Sequence, residues 1–417
     1  MRNSPFWWIL LTIMVLVDFY FFQALRVLTQ HAAPRTRSII HIAYWVLSAG
    51  AILTLIILPY LHFDRQARIT RSTLFALVAG LFFAKLLASV FFLADDLRRA
   101  VLWLIRKGWE RKSTAPGDVP AADGITRSAF LSWTGMLAAG GLFGSFIYGF
   151  GNKYRYQVRR VALGFNNLPP AFKGLKIVQI SDIHSGSFTD KAAVQRGIDK
   201  ILAERPDLIL FTGDLVNNVA TEMEDYMDVF SRLKAPLGVY STLGNHDYGD
   251  YVSWDTPEEK IANLEQLKKV HAALGWRLLM NEHVVLERGT DAIALLGIEN
   301  WSAKARFPKY GDMQRAWEGT AAYPFKILMS HDPSHWRGEV LEKYKDVDLT
   351  LSGHTHGMQF GVEIPGFKWS PVQYVYREWS GLYETDKQKL YVNRGFGFIG
   401  YPGRVGILPE ITVIELS

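Results

Sequence analysis

Four long apolar runs in the first 150 residues constrain the fold of this chain more than any other feature. They cover residues 6–24, 39–61, 73–94 and 129–149, and the second and fourth runs contain no Asp, Glu, Lys or Arg. A helix needs about 20 residues to cross the hydrocarbon core of a bilayer. Helices buried in a soluble core are the alternative, but four runs of this length argue against it. We therefore expect residues 1–150 to form an all-α transmembrane region of four helices.

The distribution of basic residues predicts how these helices are oriented, because Lys and Arg near span ends favour the cytoplasmic side. The loops after the first and third runs carry ten Lys and Arg residues. The opposite side, which includes Arg2, the loop after the second run and residues 153–160, carries eight. The difference favours a C-terminal part, residues 154–417, that lies outside the cytoplasm of a bacterial-type cell membrane.

Two ionisable residues, Asp18 and Lys85, lie inside the apolar runs. Each is the thirteenth residue of its run, and the first and third runs cross the membrane in the same direction. At similar depth the two side chains could pair, which would lessen the cost of burying either charge. An ion pathway or a contact with lipid headgroups is the functional alternative. Residues 113–127, rich in Pro, Gly, Ala and Asp, are expected to form a flexible loop.

Composition limits the kinds of site that the chain can build. It contains no cysteine, so a metal can be held only by His, Asp, Asn or backbone oxygen. The net charge of +6 is modest, and much of it lies in loops beside the apolar runs. Such basic loops are typical of membrane topology signals, so we expect membrane lipids as partners and no nucleic acid.

Residues 154–417 have the pattern of a soluble α/β domain. Short β-rich runs each lead into a polar cluster: LKIVQI into SDIH, DLILFT into GDLVN, GVYSTL into GNHD, FKILM into SHDP and DLTL into SGHTHG. Helical apolar spacing is present at 221–233 and 257–274, between these runs. Strands that alternate with helices predict polar clusters at the carboxyl ends of the strands, where such folds place their sites.

The polar clusters contain five of the eight histidines in this region. One such cluster alone would carry little weight, because a lone histidine is usually a structural or surface residue. Their joint occurrence beside Asp, Asn and Gly indicates a metal site, and this donor set suits manganese, iron or zinc. Glycines before Asp214, Asn245 and His354 would permit tight turns there.

In order and spacing, the five clusters resemble the calcineurin-like metallophosphoesterase signature: D-x-H, G-D, G-N-H-D/E, a His, and G-H-x-H. The resemblance covers nearly all of residues 154–417 and implies a two-sheet sandwich flanked by helices. It implies that one divalent metal ion is bound by Asp182, His184 and His356, a second by Asn245, His331 and His354, and both by Asp214. His246 would be the histidine at the scissile ester, oriented by Asp247, for which a plain turn residue is the alternative.

The resemblance also implies a reaction. A hydroxide that bridges the two metal ions would attack phosphorus, and His246 would protonate the leaving oxygen or hydrogen-bond the phosphate. The C-terminal part of the chain resembles the YkuE-like branch of the family at a small set of positions: Arg394, Gly395, Pro402, Arg404, Pro409 and Glu410. Arg394 or Arg404 could bind phosphate, although a structural role in the turn is the first choice.

Other residues near the clusters leave alternatives open. His335 is a candidate for substrate contact, with an exposed loop histidine as the alternative, whereas His271 and His283 are expected to be structural. The aromatic segment 367–383 could line the active site, contact lipid headgroups or simply pack as an insertion.

The sequence thus predicts a membrane-anchored two-metal phosphoesterase whose substrate is a phosphate ester, possibly on a lipid or lipid-linked molecule. A pyrophosphatase of a nucleotide-linked lipid, of the UDP-diacylglucosamine type, is one alternative. A non-catalytic membrane scaffold that keeps the phosphoesterase fold is the other, but it would be expected to have lost ligand positions.

Overall fold

A computed structural model describes residues 5–60, 65–109 and 127–417 of the chain. It contains two compact units, Met1–Tyr148 and Gly149–Ser417. The loop expected at residues 113–127 lies, up to residue 126, outside the described residues.

The described residues of the first unit form four α-helices: α1 (Pro5–Leu28), α2 (Pro34–Ile57), α3 (Arg65–Trp109) and α4 (Arg127–Gly149). Each contains a segment long and apolar enough to cross a bilayer, with mean hydropathies of 1.9, 2.0, 2.3 and 1.4. The predicted four-helix transmembrane region is therefore confirmed.

Helix α3 is much longer than its apolar run predicted. Its 45 residues extend beyond both ends of the run at 73–94. At the C-terminal end, ion pairs along the helix join Asp95 to Arg98 at 2.7 Å and to Arg99 at 3.3 Å. Pairs three and four residues apart stabilise a helix whose residues are no longer apolar. Hydropathy therefore predicted the apolar part of this helix and not its ends.

The two ionisable residues within the spans are paired, as predicted. Lys85 Nζ lies 2.5 Å from Asp18 Oδ1 and donates a second hydrogen bond to Ser48 Oγ at 2.7 Å. The Tyr44 hydroxyl donates to the Asp18 carbonyl at 2.8 Å. Asp18, Ser48 and Lys85 are all buried, so the pair joins α1, α2 and α3 through a shielded polar contact.

Removal of one member of this pair is expected to destabilise the helical unit. Asp18→Ala or Lys85→Ala leaves a buried charge without its partner, which costs about 3–5 kcal/mol in protein interiors. The double variant removes both charges and is expected to lose less stability than the sum of the two single variants. Thermal unfolding of the full-length chain in detergent measures all three. Strictly additive losses would contradict a direct interaction between the two side chains.

The second unit is built on strands β1 (Gln157–Leu163), β2 (Lys176–Ile180), β3 (Leu208–Phe211), β4 (Val239–Ser241), β5 (Arg277–Leu278), β6 (Glu282–Arg288), β7 (Asp291–Gly297), β8 (Lys326–Met329), β9 (Leu349–Ser352), β10 (Val362–Ile364), β11 (Phe367–Trp369), β12 (Gly381–Thr385), β13 (Gln388–Val392) and β14 (Glu410–Leu416). They form one six-stranded sheet in the order β1-β14-β2-β3-β4-β5 and another in the order β12-β13-β9-β8-β7-β6. Strands β10 and β11 form a separate antiparallel hairpin.

The two large sheets pack face to face. Side chains of Ile177, Leu208 and Leu210 from the first sheet share a buried core with Leu295 and Ile327 from the second. Alternate residues of β3 point the other way, and Ile209 and Phe211 belong to a separate core on the outer side. A strand that is buried on both faces has a continuous apolar sequence, which explains the LILF sequence of β3.

Helices cover the outer faces of the sheets, and their bounds are α5 (Lys191–Ala203), α6 (Met227–Phe230), α7 (Pro257–Leu274), α8 (Met313–Trp317) and α9 (Leu341–Lys343). Val194 and Ile198 of α5 pack in the core outside the first sheet, and Met313 and Ala316 of α8 pack outside the second. The predicted α/β architecture, a two-sheet sandwich flanked by helices, is confirmed.

Of the two predicted soluble helices, the second is confirmed and the first is not a continuous α-helix. Helix α7 has the predicted bounds, and the Thr256 side chain caps it by accepting from the Glu259 N–H at 3.2 Å. The segment predicted at 221–233 is instead a 3₁₀ helix, Ala220–Tyr226, followed by the short α6. The Glu222 carboxylate accepts from the Asn217 N–H at 2.6 Å, which ties the start of this segment to the loop after β3.

Candidate metal centre

The polar clusters follow five strands that end at the same edge of the sandwich. Strands β2, β3 and β4 are parallel neighbours in the first sheet, as are β8 and β9 in the second. Gln179 of β2 donates from Nε2 to the Ser352 carbonyl of β9 at 2.9 Å, which joins the two sheets at this edge. The clusters after these strands therefore meet, although they are far apart in sequence.

Unusual backbone conformations turn the side chains of the clusters inward. Left-handed φ values between 48° and 69° occur at five of the predicted ligand residues: Asp182, His184, Asp214, His354 and His356. Such conformations cost non-glycine residues roughly 1–3 kcal/mol each and concentrate at functional sites. Two glycines allow the loops to approach closely. A Cβ at Gly244 would lie 2.2 Å from Asp214 Oδ1, and one at Gly353 would lie 2.2 Å from Asp182 Oδ2.

One group of donor atoms comes from Asp182, His184 and His356. Their ligand atoms all lie within 4.8 Å of one another, and the three side chains are buried. The Nε2 atoms of His184 and His356 are 3.1 Å apart, and His356 Nε2 is 3.3 Å from Asp182 Oδ1.

A second group comes from Asp214, His331 and His354, again with ligand atoms within 4.8 Å of one another. His354 Nδ1 lies 3.3 Å from His331 Nε2 and 2.7 Å from Asn245 Oδ1, so the Asn245 side chain belongs to this group as well. Asp214 Oδ2 is 3.2 Å from His331 Nε2 and 3.5 Å from His184 Nε2 of the first group. The Asp214 carboxylate therefore lies between the two groups.

The chemistry of these donors fits a pair of cations. Ligands at about 2.0–2.2 Å from one ion lie about 3 Å apart, which is the spacing seen here between nitrogen and oxygen atoms. Burial lowers the pKa of His184 to about 3 and that of His354 to about 4. Both rings are therefore neutral at pH 7, the state in which imidazole binds metals. Burial alone would lower the pKa of His331 too, but the negative charge of the adjacent Asp214 raises it to about 10. A buried carboxylate among imidazoles favours a positive charge beside it.

Hydrogen bonds fix the imidazoles of the second group. His331 Nδ1 donates to the Thr212 carbonyl at 2.7 Å, which leaves Nε2 directed at Asp214. His354 Nε2 lies 2.8 Å from the Tyr376 hydroxyl, which donates to Asp332 Oδ2 at 3.2 Å. Such outer partners set which ring nitrogen is free for a metal. The roles of Tyr376 and Asp332 were missed in the sequence, although Asp332 directly follows His331.

The expected role of Asp247 is corrected by its contacts. Its buried carboxylate accepts from four backbone N–H groups at 2.8–3.3 Å, those of Gly244 and residues 214–216. His246 Nδ1 instead lies 2.8 Å from the Asn217 carbonyl. Asp247 thus holds the loops after β3 and β4 together, and the backbone of Asn217 orients His246.

A cavity of about 380 Å³ opens over the donor atoms. Its walls include His184, Asp214, Asn245, His354 and His356 together with His246, Tyr251, Arg306, Phe307, Met358, Val372, Val375 and Tyr376. The Tyr251 ring lies 4.4 Å from that of His246, and its hydroxyl accepts from the Asn245 side-chain amide at 2.8 Å. That bond leaves Asn245 Oδ1 directed at His354.

Three other candidates have structural contacts. Arg394 is buried and pairs with Glu410 and with Glu363, and the fully buried Arg404 donates to backbone carbonyls including that of Arg394 at 2.7 Å. The preferred structural interpretation of both arginines agrees with these contacts. His335 is neither an exposed loop residue nor a lining residue of the cavity, because it is fully buried with Nδ1 3.0 Å from Ser330 Oγ.

Each of the two units of the chain matches the model of a known protein family. Residues 1–152 match the model for a probable calcineurin-like phosphoesterase transmembrane domain, and residues 175–358 match that for calcineurin-like phosphoesterases. The uncharacterized metallophosphoesterase YkuE of Bacillus subtilis is 30% identical over 304 residues, which cover 70% of this chain and 98% of YkuE.

Two further relatives are similar over part of their length. The transmembrane protein with metallophosphoesterase domain of Danio rerio is 31% identical over 268 residues, 63% of this chain and 57% of that protein. The UDP-2,3-diacylglucosamine pyrophosphatase LpxG of Chlamydia muridarum is 29% identical over 274 residues, 54% of this chain and 78% of LpxG. The chain therefore spans little more than half of the zebrafish relative.

The match to nearly the whole of YkuE and the two family models agree with the fold and with the clustered donors. The chain is an integral membrane protein that belongs to the calcineurin-like metallophosphoesterase family.

Proposed function

We propose that this chain is a membrane-anchored phosphoesterase with a two-metal centre. Asp182, His184 and His356 would hold one divalent ion, Asn245, His331 and His354 the other, and Asp214 both. The observation that carries the proposal is the position of the Asp214 carboxylate, within 3.2 Å of a nitrogen of one donor group and 3.5 Å of a nitrogen of the other. The mixed His, Asp and Asn donors favour manganese, iron or zinc.

Two bound divalent ions supply an acidified water and neutralise the charge of the phosphoryl oxygens. The chain's own residues position the ester and handle the proton of the leaving group. His246 lines the cavity, and its Nδ1–H is engaged by the Asn217 carbonyl, so Nε2 is the nitrogen that would give a proton to the leaving oxygen. Arg306 in the cavity wall supplies a guanidinium for a phosphate oxygen.

Lipid or lipid-linked phosphate is the substrate class that we favour. Four spans keep the chain in a membrane, where the phosphate groups of lipids are concentrated. The excess of basic residues in the loops after α1 and α3 favours a catalytic domain outside the cytoplasm. A panel of a soluble aryl phosphate, an aryl diester, a pyrophosphate and phosphatidic acid, each assayed with manganese or zinc, tests this class. We expect hydrolysis of the aryl phosphate and of the lipid, and a metal-loaded chain that is inert on the whole panel would overturn the proposal.

A nucleotide-linked lipid pyrophosphatase is a second candidate, supported by the similarity to a protein named UDP-2,3-diacylglucosamine pyrophosphatase. Such a substrate is made in the cytoplasm, so membrane topology discriminates between the two candidates. A reporter fused after Ser417 that is active only in the cytoplasm would favour the pyrophosphatase. The non-catalytic scaffold is disfavoured because all seven ligand positions are present.

The contact of Tyr376 with His354 gives a further prediction. Tyr376→Phe removes the hydroxyl that lies 2.8 Å from His354 Nε2. Because loss of an outer partner of a metal ligand costs about 10–100-fold in metal affinity or activity, the metal concentration needed for half-maximal hydrolysis is expected to rise by that factor. Tyr344→Phe, which removes a hydroxyl that donates to Gln314 Oε1 at 3.4 Å outside the cavity lining, is the matched control and is expected to leave it unchanged. Equal behaviour of the two variants would contradict the role of Tyr376.

A further inference from the structure

The β10–β11 hairpin has its polar and apolar faces reversed relative to an ordinary surface hairpin. In its antiparallel register Val362 pairs with Trp369 and Ile364 pairs with Phe367. Alternate residues of a strand point to opposite faces. Val362, Ile364, Phe367 and Trp369 therefore share one face, and Glu363 and Lys368 lie on the other.

The polar face is the one that packs against the domain. The Glu363 carboxylate accepts from Arg159 and from Arg394, each at 2.7 Å. Lys368 Nζ donates to the Ser380 carbonyl at 2.6 Å and lies 4.8 Å from the centre of the Tyr383 ring. Both charges thus have partners in the domain, although Lys368 itself stays exposed to solvent.

The apolar face consequently points outward. Val362, Ile364 and Phe367 are 44%, 59% and 54% exposed. An antiparallel sheet with one solvent-exposed face normally has polar residues on that face. Contiguous exposed apolar residues instead mark an interaction site. The ion pairs of Glu363 fix this orientation, so the apolar face cannot turn inward without breaking them.

This face continues to the mouth of the cavity. Trp369 Nε1 donates to the hydroxyl of the exposed Tyr374 at 3.4 Å. The next residue, Val375, is 49% exposed and lines the cavity, as does Met358, which is 58% exposed and precedes the hairpin. The Ser370 hydroxyl donates to the Gly357 carbonyl at 2.8 Å and joins the two segments that flank the hairpin. An apolar strip therefore runs from the hairpin to the candidate metal centre.

We propose that the apolar face of this hairpin inserts into the boundary between the headgroups and acyl chains of a lipid bilayer, and that the strip guides the acyl part of a lipid phosphoester toward the cavity. A bilayer is the occupant that the chain favours, because its own four spans place it in a membrane. Trp369 and Tyr374 are of the residue types that concentrate at membrane interfaces. Arg377 follows this strip in sequence, and its side chain is 77% exposed although its Nε lies 3.8 Å from Glu378 Oε1. Its guanidinium is of a type that anionic headgroups attract.

The insertion itself can be tested without reference to catalysis. Because the natural chain has no cysteine, Phe367→Cys provides a single attachment point for an environment-sensitive fluorophore on the full-length protein. Asp386→Cys, in the exposed turn between β12 and β13, is the matched control. In nanodiscs that hold one chain in phosphatidylcholine and phosphatidylglycerol, we expect a blue-shifted emission at 367 that spin-labelled lipids quench, with neither effect at 386.

Equal emission and quenching at the two positions would overturn the bilayer contact. A blue shift at 367 that appears only when vesicles hold many chains, without quenching by spin-labelled lipids, would instead identify a second copy of the chain as the occupant and would also overturn it.

The role of the strip in substrate access depends on the proposed function and is tested separately. Ile364→Asp combined with Phe367→Asp places charge on the apolar face, outside the cavity lining, and Lys387→Asp is the control. Since charge on this face opposes its burial among acyl chains, we expect at least about tenfold slower hydrolysis of phosphatidic acid in vesicles. Hydrolysis of a soluble aryl phosphate is expected to stay unchanged.

The outcomes separate the two proposals. If the aryl phosphate is hydrolysed but the double variant and the control act equally on phosphatidic acid, or the wild type leaves this lipid intact, the substrate role of the strip is wrong. If the wild type hydrolyses neither compound, the proposed function fails, and the fluorescence experiment still decides the bilayer contact.

Discussion

Replacement of Asp214 by asparagine is expected to lower phosphate-ester hydrolysis by about 10²- to 10³-fold or more, because the negative charge shared by the two donor groups is lost. The carboxylate approaches His331 Nε2 at 3.2 Å and His184 Nε2 at 3.5 Å. An asparagine of the same shape offers one neutral oxygen in place of two charged ones. We therefore expect reduced metal content together with reduced rate.

The fold is expected to tolerate this change. Asp214 has a φ of 61°, and asparagine is one of the few residues that adopt this conformation readily. Asp386→Asn is a matched control, because Asp386 has a φ of 53° in an exposed turn away from the cavity. Metal analysis and an aryl phosphate assay on both variants provide the measurement. An Asp214→Asn variant with normal metal content and rate would show that this carboxylate does not bridge the donor groups.

Replacement of His246 by glutamine is expected to lower kcat by about 10²- to 10⁴-fold while metal content stays unchanged. The imidazole lines the cavity but belongs to neither group of clustered donors. If His246 protonates the leaving oxygen, its loss slows the hydrolysis of esters with poor leaving groups most. The hydrolysis of nitrophenyl esters, whose leaving groups need little protonation, is slowed least.

The control for this variant is His283→Gln. His283 Nδ1 lies 3.0 Å from the Ala316 carbonyl, a contact of the same kind as that of His246 with Asn217, but at a site remote in the fold on β6. Rates for a series of aryl esters of graded leaving-group pKa distinguish the roles. A uniform loss across the series, accompanied by loss of metal, would contradict proton donation and would favour ligation by His246.

Much of the site was predictable because it depends on strand ends. Parallel neighbours in one sheet place their carboxyl ends at the same edge, so the clusters SDIH and GDLVN, which follow β2 and β3, had to meet if the strands were assigned correctly. The apolar LILF of β3 and its neighbours made that assignment secure. The transmembrane helices were predictable for a similar reason, since length and apolar composition alone decide them.

What the sequence did not predict depends on contacts between distant residues. Nothing in the spacing indicates that Tyr376 contacts His354, or that the Asn217 carbonyl rather than Asp247 holds His246. His184 and Asp214 have left-handed backbone conformations. The loops that contain these residues impose the conformation, and residue type alone does not predict it. His335 was expected at the surface or at the substrate because its burial comes from the tertiary fold.

The β10–β11 hairpin shows the same limit. Its aromatic composition was visible, but composition allowed a site rim, a headgroup contact or simple packing. Only the ion pairs of Glu363 with Arg159 and Arg394 define which face is outward.

The measurement that tests the two-metal centre most directly is the metal content and hydrolytic rate of one preparation of the full-length chain, before and after chelation. We predict two divalent ions per chain, loss of both metal and aryl phosphate hydrolysis with chelator, and recovery of both on addition of manganese or zinc. A chain that binds both ions and hydrolyses no phosphoester, or one whose hydrolysis survives complete removal of metal, would contradict the account.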